Sequence, residues 1–228
     1  KEFNGLRKKL KFKVIEDAAQ SFMVKYNKNR FTGTLSDIGC FSLGVTKLTH
    51  MIYGGFCATN SNTIAKKLIS IRNNGLNSLP DNMYLQASSC IGLNFKPSDL
   101  HASVGIKNLQ KIKLSIKRVN KVHDVYSKYL TNDKLKLLSK KSKFSIPLYN
   151  HLQVRDKLKF IKFCEKKGIG VHTGFRAIHE NEPFYKSYRK FKNSTFISKH
   201  FIRIPSGPGY KTNQIKKFVE FSIIIHSE

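Results

Sequence analysis

The sequence has no apolar run that approaches the roughly 18–20 residues a membrane-spanning helix requires; the longest near its end, Phe221 to Ile225, stops far short. Its first residues show no signal-peptide pattern. Both absences predict a soluble, cytoplasmic protein. Cysteine is scarce and scattered: Cys40, Cys57, Cys90 and Cys164 form no Cys-x-x-Cys and show no metal-ligand spacing, which predicts reduced core thiols and no metal. Acidic residues are few, 14 against 42 lysines and arginines, leaving a formal net charge of +28. Such a charge permits nucleic-acid binding through counterion release, but the other parts of a nucleic-acid site are missing. Lysine outnumbers arginine and is spread along the whole chain, as in products of AT-rich genomes, and no cluster of arginines and aromatics forms a recognition motif. The charge is therefore read as a solvated basic surface. There is also no internal repeat and, beyond the lysine bias, no low-complexity tract.

What is present suffices for a folded core. The chain has 228 residues, 40% of them hydrophobic, a length between one large domain and two small ones. It starts at Lys1 rather than Met, and a strand-like segment ends at Val14-Ile15, so it is expected to be an N-terminally truncated fragment of a longer protein. Short apolar runs alternate with helical patterns, predicting an α/β fold with a mostly parallel sheet. Strands are predicted at 13–15, 37–43 and 55–59. A helix is predicted at 63–72, where Ile64, Leu68 and Ile71 recur at helical spacing behind the N-cap formers Asn60, Ser61 and Asn62. Residues 76–97, with Pro80, Asp81 and Asn82, read as an irregular loop. From Ser98 onward, Leu100, Val104, Leu109, Ile112, Ile116, Val119, Val122 and Val125 recur every three to four positions. This predicts one long amphipathic helix over about 98–130 that links two lobes. The second lobe reads as a small α/β unit with strands at 144–148 and 201–204, an extended piece at 170–175, a turn at 205–209, and helices at 156–167, stopped by Gly168, and 212–225. The expected division is a domain over 1–110 and a smaller one over 111–228.

Three successive strand ends deliver polar groups where open α/β sheets place their ligands. Asp17 and Gln20 follow the first strand, Ser42 ends the second, and Lys47 lies beyond the turn Leu43-Gly44-Val45-Thr46. A lysine held and desolvated there has a lowered pKa and is a nucleophile toward a carbonyl. An aspartate after an apolar strand suits a pyridinium nitrogen, whose charge it stabilises. Taken singly, these residues have other readings: Lys47 as one more surface lysine, Asp17 as a helix N-cap, Ser42 as a strand-end hydroxyl. Asn94 before Phe95 could shape a turn, and Gly54-Gly55 could let a strand start tightly. His50, His172 and His179 lack the i, i+4 placement and carboxylate partner of a metal site.

Several ordered segments narrow the choice: Glu16-Asp17-Ala18-Ala19-Gln20-Ser21-Phe22, Gly33-Thr34-Leu35-Ser36-Asp37-Ile38-Gly39-Cys40-Phe41-Ser42, Thr46-Lys47 and Gly54-Gly55-Phe56. Later come Gly92-Leu93-Asn94-Phe95-Lys96-Pro97-Ser98-Asp99-Leu100-His101-Ala102, Lys167-Gly168-Ile169-Gly170-Val171, Ala177-Ile178-His179 and Pro205-Ser206-Gly207-Pro208. Together, from residue 13 to the C-terminus, they resemble the DegT/StrS family of sugar aminotransferases, which have the type I fold of enzymes dependent on pyridoxal 5'-phosphate (PLP). The resemblance implies part of a PLP-binding large domain followed by a small C-terminal lobe. It implies that Lys47 carries PLP covalently and shuttles a proton, that Asp17 pairs with the pyridine nitrogen, that Gln20 lies by the ring and its phenolic oxygen, and that Ser42 binds the phosphate. Asn94 is expected to reach the phosphate of a neighbouring subunit's cofactor, giving a homodimer with shared active sites. His179 and Lys96 are the implied substrate contacts.

The implied reaction moves an amino group, from glutamate as in the family, to a keto group of a nucleotide-linked deoxysugar for surface polysaccharide or amino-sugar biosynthesis. Relatives usually carry an acidic residue or Gln where Tyr53 stands, and many carry Arg where Lys96 stands; Lys cannot form a bidentate fork. Family members also have a preceding segment that completes the phosphate cup, so this polypeptide alone is expected to bind PLP weakly or not at all. The rival within the fold is a PLP-dependent sugar dehydratase, in which relatives replace the lysine by histidine. The rival outside it is an inactive fragment or basic noncatalytic binding protein.

Overall fold

The structure, a computed structural model, describes residues 2–76, 88, 90–130, 135–139, 141–181 and 191–224. The chain divides into two compact units, Lys1–Ile112 and Lys113–Glu228. Most of the loop predicted over 76–97, including Pro80, Asp81 and Asn82, lies outside the described residues.

In the first unit, helix α1 (Glu2–Leu10) precedes strand β1 (Ile15–Asp17), a hairpin of β2 (Lys25–Asn27) and β3 (Arg30–Phe31), strands β4 (Ile38–Ser42) and β5 (Gly55–Ala58), and helices α2 (Asn62–Arg72) and α3 (Asp99–Gln110). The main sheet has the order β1-β4-β5. β1 and β4 run parallel with Asp17 opposite Cys40, and β4 and β5 run antiparallel with Cys40 opposite Cys57 and Ser42 opposite Gly55. The mostly parallel sheet predicted here is thus mixed among the described strands. Residues 43–54 form no crossover helix, so β5 returns directly beside β4.

Two carboxylates tie the connections down. Glu16 accepts hydrogen bonds from the amides of Gly33 and Leu35 and the hydroxyl of Ser36, fixing the loop that enters β4. Asp37 accepts from the Val14 amide at 2.8 Å and pairs with Arg7 at 2.8 Å and Lys13 at 3.5 Å. The Val14 amide, aided by the two cations, holds the Asp37 carboxyl below its ordinary range despite the opposing cost of desolvation.

The single helix predicted over about 98–130 is two, α3 and α4 (Ile112–Tyr129). Lys111 leaves the helical conformation at φ −95°, ψ 4°, and its N–H bonds the Asn108 carbonyl at 3.1 Å, a three-residue turn that interrupts the ladder. The apolar periodicity continues through the interruption, so the sequence pattern does not register it.

The second unit contains α4, β6 (Lys136–Leu137), β7 (Asn150–Gln153), α5 (Lys157–Lys166), a 3₁₀ turn at Ile178–Glu180, α6 (Lys192–His200), β8 (Phe201–Ile204) and α7 (Thr212–Ile224). Its sheet has the antiparallel order β6-β7-β8. Tyr126, Leu135, Leu152, Phe160, Ile202 and Ile215 form its core, joining helices α4, α5 and α7 to the sheet. α5 starts where the Asp156 carboxylate accepts from the Lys159 amide at 2.9 Å, and ends before Gly168, whose φ of +66° suits glycine. The strand predicted at 144–148 does not form: residues 143–144 make a turn held by Ser142 and Ser145, and residues 145–148 have no regular structure. The strand lies just beyond, at β7, whose buried Asn150 is paired with His123 at 2.7 Å and with Ser206.

Candidate active site

Neighbouring residues across a sheet point to the same side. Asp17, Cys40 and Cys57 therefore form one row across β1, β4 and β5, and Ser42, two positions beyond Cys40, stands on the same face. Asp17 is exposed at the end of β1, and its Oδ1 accepts from the Ala19 amide at 3.0 Å, shaping the turn that carries Gln20. The Ala18 amide donates to the Cys40 carbonyl at 2.8 Å, so this turn is stitched to β4. On the opposite face Phe41 stacks on Phe56 at 4.5 Å, and Phe22 meets both edge-on at 5.9 and 5.7 Å. Such aromatic pairs add about 0.5–1.5 kcal/mol each beyond area burial. They pin the turn after Asp17 to the strands on either side of the lysine loop.

That loop, residues 43–54, is closed at its base. The Leu43 amide donates to Gly54 O and the Met51 amide to Leu43 O, both at 2.9 Å. Inside it, the Lys47 amide donates to Gly44 O at 3.0 Å and Ser42 Oγ accepts from the Gly44 amide at 3.3 Å. Leu48, Thr49 and Met51 are buried and Lys47 is half-buried. Helix α3 braces the loop. A Cβ on Gly105 would come within 3.0 Å of Met51 Cβ, and Asn108 Nδ2 donates to the His50 carbonyl at 2.9 Å. The backbone that presents Lys47 is therefore held by strand pairing at one end and by α3 along its side.

The remaining predicted residues are placed less closely. Asn94 and Lys96 are exposed on the segment before α3, where Asn94 bridges to Asn73 at the end of α2 and the Phe95 amide donates to Arg72 O at 3.1 Å. His179 belongs to the second unit, with Nε2 3.2 Å from Thr195 Oγ1 and its ring 5.1 Å from that of Phe191. The structure thus gathers Asp17, Gln20, Ser42 and Lys47 around one end of one sheet, keeps Asn94 and Lys96 in the same unit, and sets His179 in the other. The supports Asn108 and Phe22 carry no chemistry; Phe22 ends the Glu16–Phe22 segment, but its packing role and that of Asn108 have no signal of their own in the sequence.

One prediction about the cysteines is corrected. Only Cys164 is a buried core thiol; Cys40 and Cys90 are half-buried and Cys57 is exposed. Cys40 and Cys57, distant in sequence, bring their sulfurs to 3.9 Å because β5 returns beside β4. Among the described residues no group of three or more His, Cys, Asp or Glu side chains is placed to hold a metal ion, and no helix is long and apolar enough to cross a membrane.

The sequence model of the DegT/DnrJ/EryC1/StrS aminotransferase family matches residues 1–221. An uncharacterized protein of Methanocaldococcus jannaschii is 29% identical over 215 residues, covering 86% of this chain and 55% of that protein. GDP-perosamine synthase of Escherichia coli is 25% identical over 209 residues, covering 89% and 55% respectively. The chain therefore spans about half the length of the curated relatives it matches. Helicobacter pylori PseC, an aminotransferase involved in the biosynthesis of pseudoaminic acid, has a TM-score of 0.84 at 17% identity, covering 97% of this chain and 61% of its own. At that identity the likeness shows the fold, the α/β type I transferase fold that the motifs imply. On the family match, which runs through nearly the whole sequence and every segment carrying Asp17, Ser42, Lys47 and Asn94, the chain belongs to the DegT/DnrJ/EryC1/StrS aminotransferase family.

Proposed function

We propose that this chain carries the cofactor lysine of a PLP-dependent sugar aminotransferase, which transfers an amino group from an amino acid, glutamate by family precedent, to a keto group of a nucleotide-linked deoxysugar. The product serves surface polysaccharide or amino-sugar biosynthesis in the cytoplasm. The observation that carries this conclusion is the half-buried Lys47 on a braced loop, beyond a sheet end whose face holds both Asp17 and Ser42. The name of the E. coli relative, GDP-perosamine synthase, supports a nucleotide sugar as substrate.

The residues present fit PLP. A carboxylate and a hydroxyl on one face of a sheet end, followed by a lysine on the loop beyond it, match a ring cation, a phosphate and a carbonyl. When bound, PLP supplies a carbonyl for amine exchange and an electron sink for proton transfer at carbon. Lys47 Nζ would be the group that holds PLP covalently and the base that would move the proton at substrate carbon. The Asp17 carboxylate, kept in place by the Ala19 amide, would stabilise positive charge on the ring nitrogen. The Ser42 hydroxyl, beside the Gly44 amide, would donate to the phosphate, and Gln20 would orient the ring from its turn. Asn94 and Lys96 stand exposed beside the exposed apolar residues Ile91, Leu93 and Phe95, which supports a homodimer in which Asn94 reaches the neighbouring subunit's phosphate. The family resemblance supports Lys96 and, separately, His179 as substrate contacts.

Lys47 separates this reading from the dehydratase reading, because a histidine cannot form the covalent anchor. The deciding assay follows transfer of ¹⁵N from labelled glutamate to nucleotide-linked keto-deoxysugars by the protein that carries this chain. Labelled amino-sugar that disappears with Lys47→Ala is expected. Deoxygenation of the sugar without nitrogen incorporation would overturn the proposal.

A further inference from the structure

We propose that Cys40 and Cys57 are a modification site: a dithiol that closes reversibly into a cross-strand disulfide in the residue row that includes Asp17. The two residues are directly opposite in the antiparallel β4–β5 pair, with sulfurs 3.9 Å apart and both thiols free. Opposite pairs in such a ladder alternate between hydrogen-bonded and non-hydrogen-bonded, and the latter bring Cα atoms closer, to about 4.5 Å. Two observations assign Cys40–Cys57 to the closer class. The Leu43 amide donates to Gly54 O, which makes that pair hydrogen-bonded, so the pairs alternate to Phe41–Phe56 bonded and Cys40–Cys57 not. Independently, the Cys40 carbonyl accepts from Ala18 on the β1 side, turning the polar groups of Cys40 away from β5. The resulting separation lies within the range of about 4.4–6.8 Å that a disulfide spans without backbone movement.

The two thiols have different surroundings, which sets the order of events. Cys57 is exposed, whereas burial, followed by the Cys57 thiol and the Asp17 carboxylate, pushes the Cys40 thiol up. With a low-molecular-weight disulfide as oxidant, the Cys57 thiolate attacks one of its sulfurs, its S–S bond breaks, and one thiol leaves. Cys40, deprotonated to solvent, then attacks Cys57 Sγ in the mixed disulfide and expels the second thiol, which takes up a proton. Two cysteine thiols are oxidised by two electrons and one disulfide is reduced to two thiols. Any bearing on transamination rests on the role proposed above for Asp17; formation of the bond does not.

The test incubates the protein with oxidised glutathione, blocks remaining thiols with iodoacetamide, and maps peptides by mass without reduction. Loss of two alkylatable thiols is expected, with one linked peptide pair containing Cys40 and Cys57 that dithiothreitol separates. Cys40→Ser is expected to stop at a glutathione adduct on Cys57. An adduct that persists on Cys57 in the unsubstituted protein, a linkage to Cys90 or Cys164, or two thiols that remain alkylatable would overturn the proposal. The readout on the unsubstituted protein is sufficient and is independent of whether PLP binds.

Discussion

Replacing Gly54 by alanine tests whether the lysine loop is braced as described. Gly54 has φ +134°, where a Cβ-bearing residue is strained by about 1–3 kcal/mol. The new Cβ would also lie 2.9 Å from Met51 Cε. Met51 is only 6% exposed and the base of its side chain lies against Gly105, so its movement is confined by a packed interior. Taking about 2 kcal/mol for both effects, local opening of the loop base becomes roughly 30-fold more frequent. Amide hydrogen exchange reads this residue by residue. The Leu43 amide, which donates to Gly54 O, should exchange roughly 30-fold faster, and the Met51 amide with it. The Leu138 amide, bonded to His151 O in the second unit, should not change. Gly209→Ala is the control substitution, since its Cβ would meet nothing within 4 Å. Exchange at Leu43 in Gly54→Ala that stays within about threefold of the unsubstituted protein, below even the smallest strain in that range, would refute the brace.

Two further outcomes follow from buried and paired groups. Tyr126 is fully buried and its hydroxyl donates to the buried Pro205 carbonyl at 2.7 Å, so Tyr126→Phe leaves that carbonyl unpaired; a loss of about 2 kcal/mol should lower the thermal midpoint by about 4–8 °C, and an unchanged midpoint would contradict the bond. The Asp37 carboxyl is held below its ordinary value of 3.8, so its contribution to stability is present above that pH and fades as pH falls through the lower folded value; Asp37→Asn should therefore destabilise the first unit at neutral pH and flatten its acid unfolding, and an unaltered acid limb by circular dichroism would count against the pairing.

The sequence made legible those elements whose own residues carry the signal. α5 has an aspartate N-cap, apolar residues at helical spacing and a glycine stop, and β8 is a run of Phe, Ile and Ile around Arg203. β7 escaped because Asn150, His151 and Gln153 are poor strand formers; its pairing with β6 and β8 and the satisfaction of Asn150 by His123 and Ser206 are tertiary facts. The interruption at Lys111 escaped because periodicity does not see one residue's backbone angles. Of the candidate site, Asp17, Gln20, Ser42 and Lys47 are legible as polar residues at or just beyond strand ends, but the common face of Asp17 and Ser42 depends on the register of β1 against β4. The support of the lysine loop by Asn108 depends on a contact between residues 58 apart in sequence. The exposure of Cys57 and the partial burial of Cys40 and Cys90 are likewise tertiary facts that residue type does not reveal, as is the approach of Cys40 to Cys57 across the sheet.

The central claim is that Lys47 is the residue that takes the cofactor. Incubating the protein that carries this chain with PLP, reducing with borohydride and mapping the peptides by mass tests it most directly. A pyridoxyl group on the peptide containing Lys47, absent from Lys47→Ala, is the predicted result. Label on other lysines with Lys47 left unmodified would contradict that claim.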